Sequence, residues 1–249
     1  MNQDLNDLLR DWPHEPGQIK ARKIVGSDGS EKVQLRIDLG LIQMEINGRP
    51  DGKKPHGCES LLVHHQVRAR EKEGADSKYR LSPEDCSEMQ QEGIQYYHRY
   101  ISLFQLNDYA GVIRDTQRNL DMFSFVAKHV ERDDIIASFE QFKPYVLMMN
   151  TRAKAAIELE RDDFAAAERQ IQRGLEKIRD YFGKIHNPEM AANSPEISFL
   201  EEWLEEIRAK RPLSKLEVMQ KEMESAIARE AYERAAELRD AIKAYRKSE

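Results

Sequence analysis

The apolar positions of this chain change period twice, and the changes mark out three regions. Leu5, Leu8 and Leu9 sit at helical spacing in a short stretch that stops at Trp12-Pro13, after which the period becomes two. QIKARKIV and EKVQLRI flank the turn cluster Ser27-Asp28-Gly29-Ser30, so a β-hairpin is expected there. Val33, Leu35, Ile37 and Leu39 alternate with Gln34, Arg36 and Asp38, and beyond Gly40 the apolar set moves to Ile42, Met44 and Ile46. A one-residue change of phase at a glycine predicts a β-bulge in one bent strand. Two strands alone are marginal in water, so the hairpin needs helices or a second copy of itself to pack against. A Gly/Pro-rich loop, NGRPDGKKPHG, then leads to a helix through ESLLVHHQVRAREKE.

From about Pro83 to Arg211 the period is helical. One pair of segments, SPEDCSEMQQEGIQYYHRYISLFQL and YAGVIRDTQRNLDMFSFVAKHV, breaks at Asn107-Asp108. A second pair, DIIASFEQFKPYVLMMNTRAKAAIELE and FAAAERQIQRGLEKIRDYF, breaks at Asp162-Asp163, and Pro144 is expected to start or kink its first helix. Asp108-Tyr109-Ala110 and Asp163-Phe164-Ala165 lie 55 positions apart, and at that offset Arg114, Gln117, Arg118 and Leu120 recur as Arg169, Gln172, Arg173 and Leu175. The arrangement resembles a degenerate tetratricopeptide repeat, with a longer period and only two units. The aromatic set Tyr96, Tyr97, Tyr100, Phe104, Phe123 and Phe125 reads as core rather than as a ligand groove, because aromatics at helical spacing bury the most area. A last helix follows, with Ser194 as N-cap, Pro195 at its first position, an apolar face of Ile197, Leu200, Leu204 and Ile207, and an end at Arg211-Pro212.

Past Pro212, Ser214-Lys215-Leu216-Glu217 has the form of a capping box. Leu216, Met219, Met223, Ala226 and Ile227 make one stripe, and after a break at Arg229 to Ala231 a second stripe runs through Ala235, Leu238, Ile242 and Tyr245. An antiparallel helical pair of roughly 35 residues builds little core, so its stripe calls for a further partner surface. The run MESAIAREAYERAAELRDAI resembles the UVR motif, the helical hairpin shared by the B and C subunits of the bacterial excision-repair nuclease. It is also similar to a segment of certain Clp-type unfoldases and of the activators of protein-arginine kinases. Met223, Ala226, Ile227, Tyr232, Glu233, Ala235, Ala236, Leu238, Arg239, Asp240 and Ile242 carry the match. The resemblance implies a protein-interaction module that pairs with another UVR hairpin or with itself. Tyr232, Leu238 and Ile242 would then give apolar contact, and Arg239 and Asp240 would give charge pairing. The rest of the chain has no Gly-rich phosphate loop and no CxxC pair, so helicase or zinc-module activity is not implied.

Composition narrows the reading. With 40% apolar and 34% charged residues the 249-residue chain is expected to be globular and soluble, and no apolar run reaches the roughly 18 residues a membrane span needs. The N-terminal MNQDLNDLLRDW lacks a basic n-region and an apolar h-region, so a cytoplasmic location is expected. Net charge is −6, and residues 1–75 hold 12 basic and 12 acidic residues while 213–249 hold 8 and 8. The excess of negative charge thus falls in residues 76–212, which argues against direct contact with nucleic acid. Cys58 and Cys86 are the only cysteines, too few for a disulfide framework. His56, Cys58 and His64 or His65 could supply zinc ligands, but adjacent histidines point about 100° apart on a helix, so no metal and no cofactor is expected. Arg49, Asp51 and Lys53 form a candidate ligand loop, with Gly48 and Gly52 beside them, against the plainer reading of a solvated turn.

The expectation is a mostly α protein. Residues 1–75 form a small β-hairpin head with a helix, 76–212 a tetratricopeptide-like helical-hairpin domain, and 213–249 a UVR helical hairpin. Its expected function is that of a non-catalytic protein–protein adaptor, with a protein partner that includes other UVR hairpins or a second copy. The alternatives are a DNA-repair accessory, or a ligand- or metal-binding protein using the 47–58 loop.

Overall fold

The computed structural model describes residues 5–73, 78–185, 188–212 and 215–248. Contacts divide the chain into two compact units, Met1–Leu204 and Glu205–Glu249. The protein is mostly helical, with one small antiparallel sheet near the N-terminus.

The first unit opens with the short helix α1 (Asn6–Leu9) and strands β1 (Lys20–Val25), β2 (Glu31–Ile37) and β3 (Gly40–Glu45), paired in the order β1-β2-β3. The expected bulge is instead a second hairpin: Ile37 pairs with Gly40 across Asp38-Leu39, and Ile42 and Met44 lie on a returning strand, opposite Leu35 and Val33. The phase change seen in the sequence arises because the chain reverses, and Leu39, at the tip, is 91% exposed. The two faces of the sheet differ in chemistry. Val33, Leu35 and Met44 are buried, and β1 and β2 pack against the long helix α3 (Pro83–Gln105). On the other face a cross-strand polar row runs from Arg22 to Gln34 at 2.8 Å and from Gln34 to Gln43 at 2.9 Å. Trp12 covers that row, its ring 4.1 Å from the Arg22 guanidinium, and Arg36 donates to the Trp12 carbonyl at 2.9 Å. Gln34, 4% exposed, can be buried on this face because its carboxamide is bonded from both neighbours.

After α2 (Leu61–Glu73), the helices α3, α4 (Tyr109–His129), α5 (Asp133–Glu140), α6 (Lys143–Leu159) and α7 (Phe164–Lys184) follow. α3 packs on α4, α4 on α6 and α6 on α7, so the two hairpins stack in chain order. Ser82 and Asp85 form a reciprocal capping box at the start of α3. Pro144 sits in the first turn of α6, where its missing N–H costs nothing, and α5 is a separate short helix before it. Gly174 lets α7 approach α6: a Cβ there would lie 2.2 Å from the Thr151 hydroxyl. Leu61, Leu62, Cys86, Met89, Phe123, Val126, Phe139 and Val146 belong to one buried cluster that joins α2 through α6. α8 (Pro188–Ala192) and α9 (Pro195–Lys210) complete the series before the C-terminal hairpin, and the Ile197 N–H donates to the Ser194 hydroxyl at 3.3 Å as the N-cap reading requires.

In the second unit, α10 (Lys215–Ala228) packs on α11 (Tyr232–Ser248). The expected capping box at Ser214 falls outside the described residues.

One turn closes all three helical hairpins. Asn107, Asp162 and Glu230 have φ of 58°, 57° and 58°, in the left-handed region that non-glycine residues seldom occupy. The next residue's N–H then reaches five positions back: Asp108 to Leu103 at 2.9 Å, Asp163 to Glu158 at 2.9 Å and Ala231 to Ala226 at 2.8 Å. These bonds satisfy carbonyls that a helix C-terminus otherwise leaves open. Each following helix begins with an aromatic residue, Tyr109, Phe164 or Tyr232. The sequence offset of 55 reveals the first two turns, and the structure adds the third.

Candidate functional site

The C-terminal hairpin is held by a narrow seam. Ala226 and Ala235 are each 8% exposed, and Leu238 and Ile242 each 6%. Ala235, Leu238 and Ile242 recur at i, i+3 and i+7, the spacing that keeps one face of α11 inward. Small alanines permit close approach while the two larger side chains fill the seam. Leu238 and Ile242, expected from the sequence to offer apolar contact to a partner, are among the buried residues of the hairpin.

What the hairpin shows to solvent is different. Tyr232 is 66% exposed and Ile227 50%, on either side of the turn. The equivalent aromatics of the other hairpins are seated: Tyr109 is half-buried with its ring edge-on to Phe104 at 5.5 Å, and Phe164 is half-buried. Of these three turn aromatics, Tyr232 is the one left uncovered. Arg239 and Asp240 are exposed and pair with each other at 3.0 Å, and the hydrogen bond from Arg239 holds the Asp240 carboxyl below its usual range. Arg234 bonds Glu237 at 2.9 Å on the same helix. The exposed flank thus alternates charges of both signs around an aromatic and an aliphatic side chain.

The loop after β3 is fixed from below by arginines. Arg99 is 1% exposed and binds Asp115, itself 0% exposed, through two bonds of 2.7 Å. Its remaining nitrogen donates to the carbonyls of Glu45 at 2.9 Å and Gly48 at 2.8 Å. Arg114 donates to the Ile46 carbonyl at 2.8 Å and to Asp115 at 2.9 Å. Glu92, fully buried, accepts the Leu61 N–H at 2.8 Å and pairs with Arg118, whose guanidinium stacks on the Tyr96 ring. Arg49, Asp51 and Lys53, the candidate ligand loop, line one pocket of about 450 Å³ together with His56, Gln91 and Gln95. Sequence reasoning misses the buried pair beneath it, because Arg99 and Asp115 lie on different helices without local spacing to mark them.

His56, His64 and His65 lie side by side. The His56 and His64 rings stack at 4.2 Å, and His65 Nδ1 meets the Tyr79 hydroxyl at 2.6 Å. Among the described residues no cluster of three or more His, Cys, Asp or Glu side chains could hold a metal ion. Cys58 is half-buried with its thiol 3.8 Å from the His56 carbonyl, while Cys86 lies in the core, where burial pushes its thiol up. Burial, the largest influence, holds the His64 and His65 imidazoles below 6.5. A lowered folded-state pKa means the unfolded chain binds more protons near that pH, so this stability is complete above 6.5 and is lost as pH falls through the folded values. Thermal denaturation between pH 7.5 and 5 (roughly this window) is expected to show a falling Tm, with a shallower slope in His65→Gln.

The aromatic set divides. Tyr96, Tyr100 and Phe123 are 6%, 1% and 4% exposed, as core positions, but Tyr97 is 37% exposed. Tyr97 and Phe142 flank an apolar cleft of about 500 Å³ between α3, α4, α5 and α6.

No helix among the described residues is long and apolar enough to cross a membrane. Comparison with curated proteins and with solved structures gives no match. Residues 214–248 match the UVR family, described as the UvrB/uvrC motif, so the C-terminal helical hairpin of this chain is a UVR motif.

Proposed function

We propose that this protein is a non-catalytic adaptor that binds a protein partner through its UVR hairpin, and that the partner surface is another UVR hairpin, in a second copy or in a different chain. The observation that carries this reading is Tyr232: it occupies the turn position whose aromatic is half-buried in the two other hairpins, and here it is 66% exposed within a UVR motif. Exposed aromatic and arginine side chains are the residue types that most often carry binding energy. In this reading Tyr232 and Ile227 supply apolar contact, Arg239 and Asp240 exchange their mutual pairing for pairing across the interface, and Leu238 and Ile242 preserve the hairpin's shape. The functional division falls near residue 213, with residues 1–75 and 76–212 together as a scaffold. Stacking of the α3–α4 and α6–α7 hairpins supports a tetratricopeptide-like character for that scaffold. A cytoplasmic setting fits the sequence.

The motif's description also motivates a second reading, an accessory in DNA repair acting through protein contacts. Salt-dependent binding of the protein itself to damaged duplex would favour direct action on DNA over the adaptor role.

Affinity capture with full-length wild type, Tyr232→Ala and Arg239→Glu tests the assignment. Both variants are exposed changes expected to leave helix content unaltered by circular dichroism, and each is expected to weaken capture of a UVR-bearing partner by about tenfold or more, the range of a roughly 1.4 kcal/mol contact. Unchanged capture by both variants would remove these residues from the interface.

A further inference from the structure

We infer that the pocket formed by the loop after β3 and helix α3 binds a phosphate group, held by Arg49 and Lys53. This rests on the first unit alone and is independent of the hairpin.

Three observations converge on it. First, the loop is preorganised. The carbonyls of Glu45, Ile46 and Gly48 are each held by Arg99 or Arg114, so the backbone leading into Arg49 is pinned from below, and the Asp51 carboxylate fixes the next turn by accepting the Lys53 N–H at 3.0 Å. A site whose framework is fixed before binding loses less conformational freedom when a ligand arrives.

Second, two cations of the pocket keep open donors. Arg49, Arg99, Arg114 and Arg118 face Glu92 and Asp115, both fully buried, and the partly exposed Asp51. The oxygens of Asp115 are taken by Arg99 and Arg114, and those of Glu92 by Arg118 and the Leu61 N–H. Arg49 approaches Glu92 and Asp51 only through Nε, at 3.3 Å to each, and that nitrogen makes no hydrogen bond. Its guanidinium is 14% exposed in the pocket wall, with no hydrogen bond to any described residue. Lys53, on the rim, has no carboxylate partner among the described residues. Arg49 is thus held by Asp51 and Glu92 through Nε alone, and its terminal nitrogens, like the Lys53 ammonium, keep donors that no described residue takes up.

Third, the opposite wall suits the remainder of a phosphorylated molecule. Gln91 and Gln95 of α3 offer carboxamides, and the Gln95 carbonyl oxygen is buried without a hydrogen-bond partner. The exposed Glu88 on the same wall disfavours an anion at that end, while the loop-side carboxylate, Asp51, is engaged by Arg49 and by the Lys53 N–H, which places the phosphate on the loop side. A guanidinium and an ammonium together are a common phosphate clamp, the first giving directed bonds and the second a point charge. A volume of about 450 Å³ accommodates a small phosphomonoester as well as the free ion.

Isothermal titration of the full-length protein at constant ionic strength, with inorganic phosphate and separately with glycerol 3-phosphate, tests the inference. Lys53→Glu and Lys54→Glu make the same change of charge on adjacent residues, and only Lys53 lines the pocket. Saturable binding of either probe is expected, weakened about tenfold or more by Lys53→Glu and much less by Lys54→Glu. Tighter binding of the ester would identify a phosphorylated small molecule, and equal binding would identify the phosphate alone. Absence of saturable heat up to roughly 10 mM probe, or equal weakening by the two variants, would overturn the site.

Discussion

Asp115→Ala is expected to destabilise the first unit by about 3–5 kcal/mol, the usual cost of removing one member of a buried ion pair. Arg99 is 1% exposed, so loss of Asp115 strands its charge in the interior. The consequence reaches beyond the two helices. Arg99 also holds the carbonyls of Glu45 and Gly48, and Arg114, which shares Asp115, holds that of Ile46, so the end of β3 and its loop lose their anchor together. Urea denaturation should show the loss as a shift of midpoint. A double change to apolar residues, Arg99→Met with Asp115→Leu, should recover part of it, because a buried pair is often replaceable by hydrophobic packing while half of one is not. Wild-type stability in Asp115→Ala would contradict the reading of this pair as the joint between sheet and helices.

The second large effect is expected in the hairpin. Leu238→Asp places a carboxylate at a position that is 6% exposed, on a unit whose buried seam contains few side chains. Removing the apolar side chain alone costs about 2–5 kcal/mol at a buried leucine, and an unpaired buried charge adds to that. A unit this small has little stability in reserve, so α10 and α11 should lose their helical structure while the first unit keeps its own. Limited proteolysis will distinguish the cases: cleavage is expected within residues 215–248 of Leu238→Asp and not of Tyr232→Ala. Equal protection of both proteins would show that Leu238 does not hold the hairpin.

Much of this architecture is legible in the sequence, and the exceptions share a cause. The helical hairpins can be read because amphipathic spacing and turn residues act locally, and the UVR motif because its order of aromatic, acidic and alanine residues is unusual. The inward stripe through Ala235, Leu238 and Ile242 is equally plain, and it conflicts with a partner role for the latter two. Both side chains are buried in the structure. The third strand escapes sequence reading because a two-residue reversal at Asp38-Leu39 and a bulge at Gly40 shift the apolar phase in the same way. Arg49, Asp51 and Lys53 are identifiable as a loop, but what braces it is not. Arg99, Asp115 and Glu92 occupy ordinary helical positions, and only tertiary structure shows that their charges meet in the interior. Tyr97, likewise, sits in an aromatic run that looks uniformly internal until the gap beside α5 exposes it.

The adaptor role rests on the hairpin's being the surface that recruits a partner. The most direct measurement is quantitative capture of native complexes by the full-length chain and by a chain ending at Arg211, compared side by side. The account predicts that a UVR-bearing protein, or a second copy of this chain, is retained by the full-length protein and lost from the shortened one. Recovery of the same partners by both would contradict it.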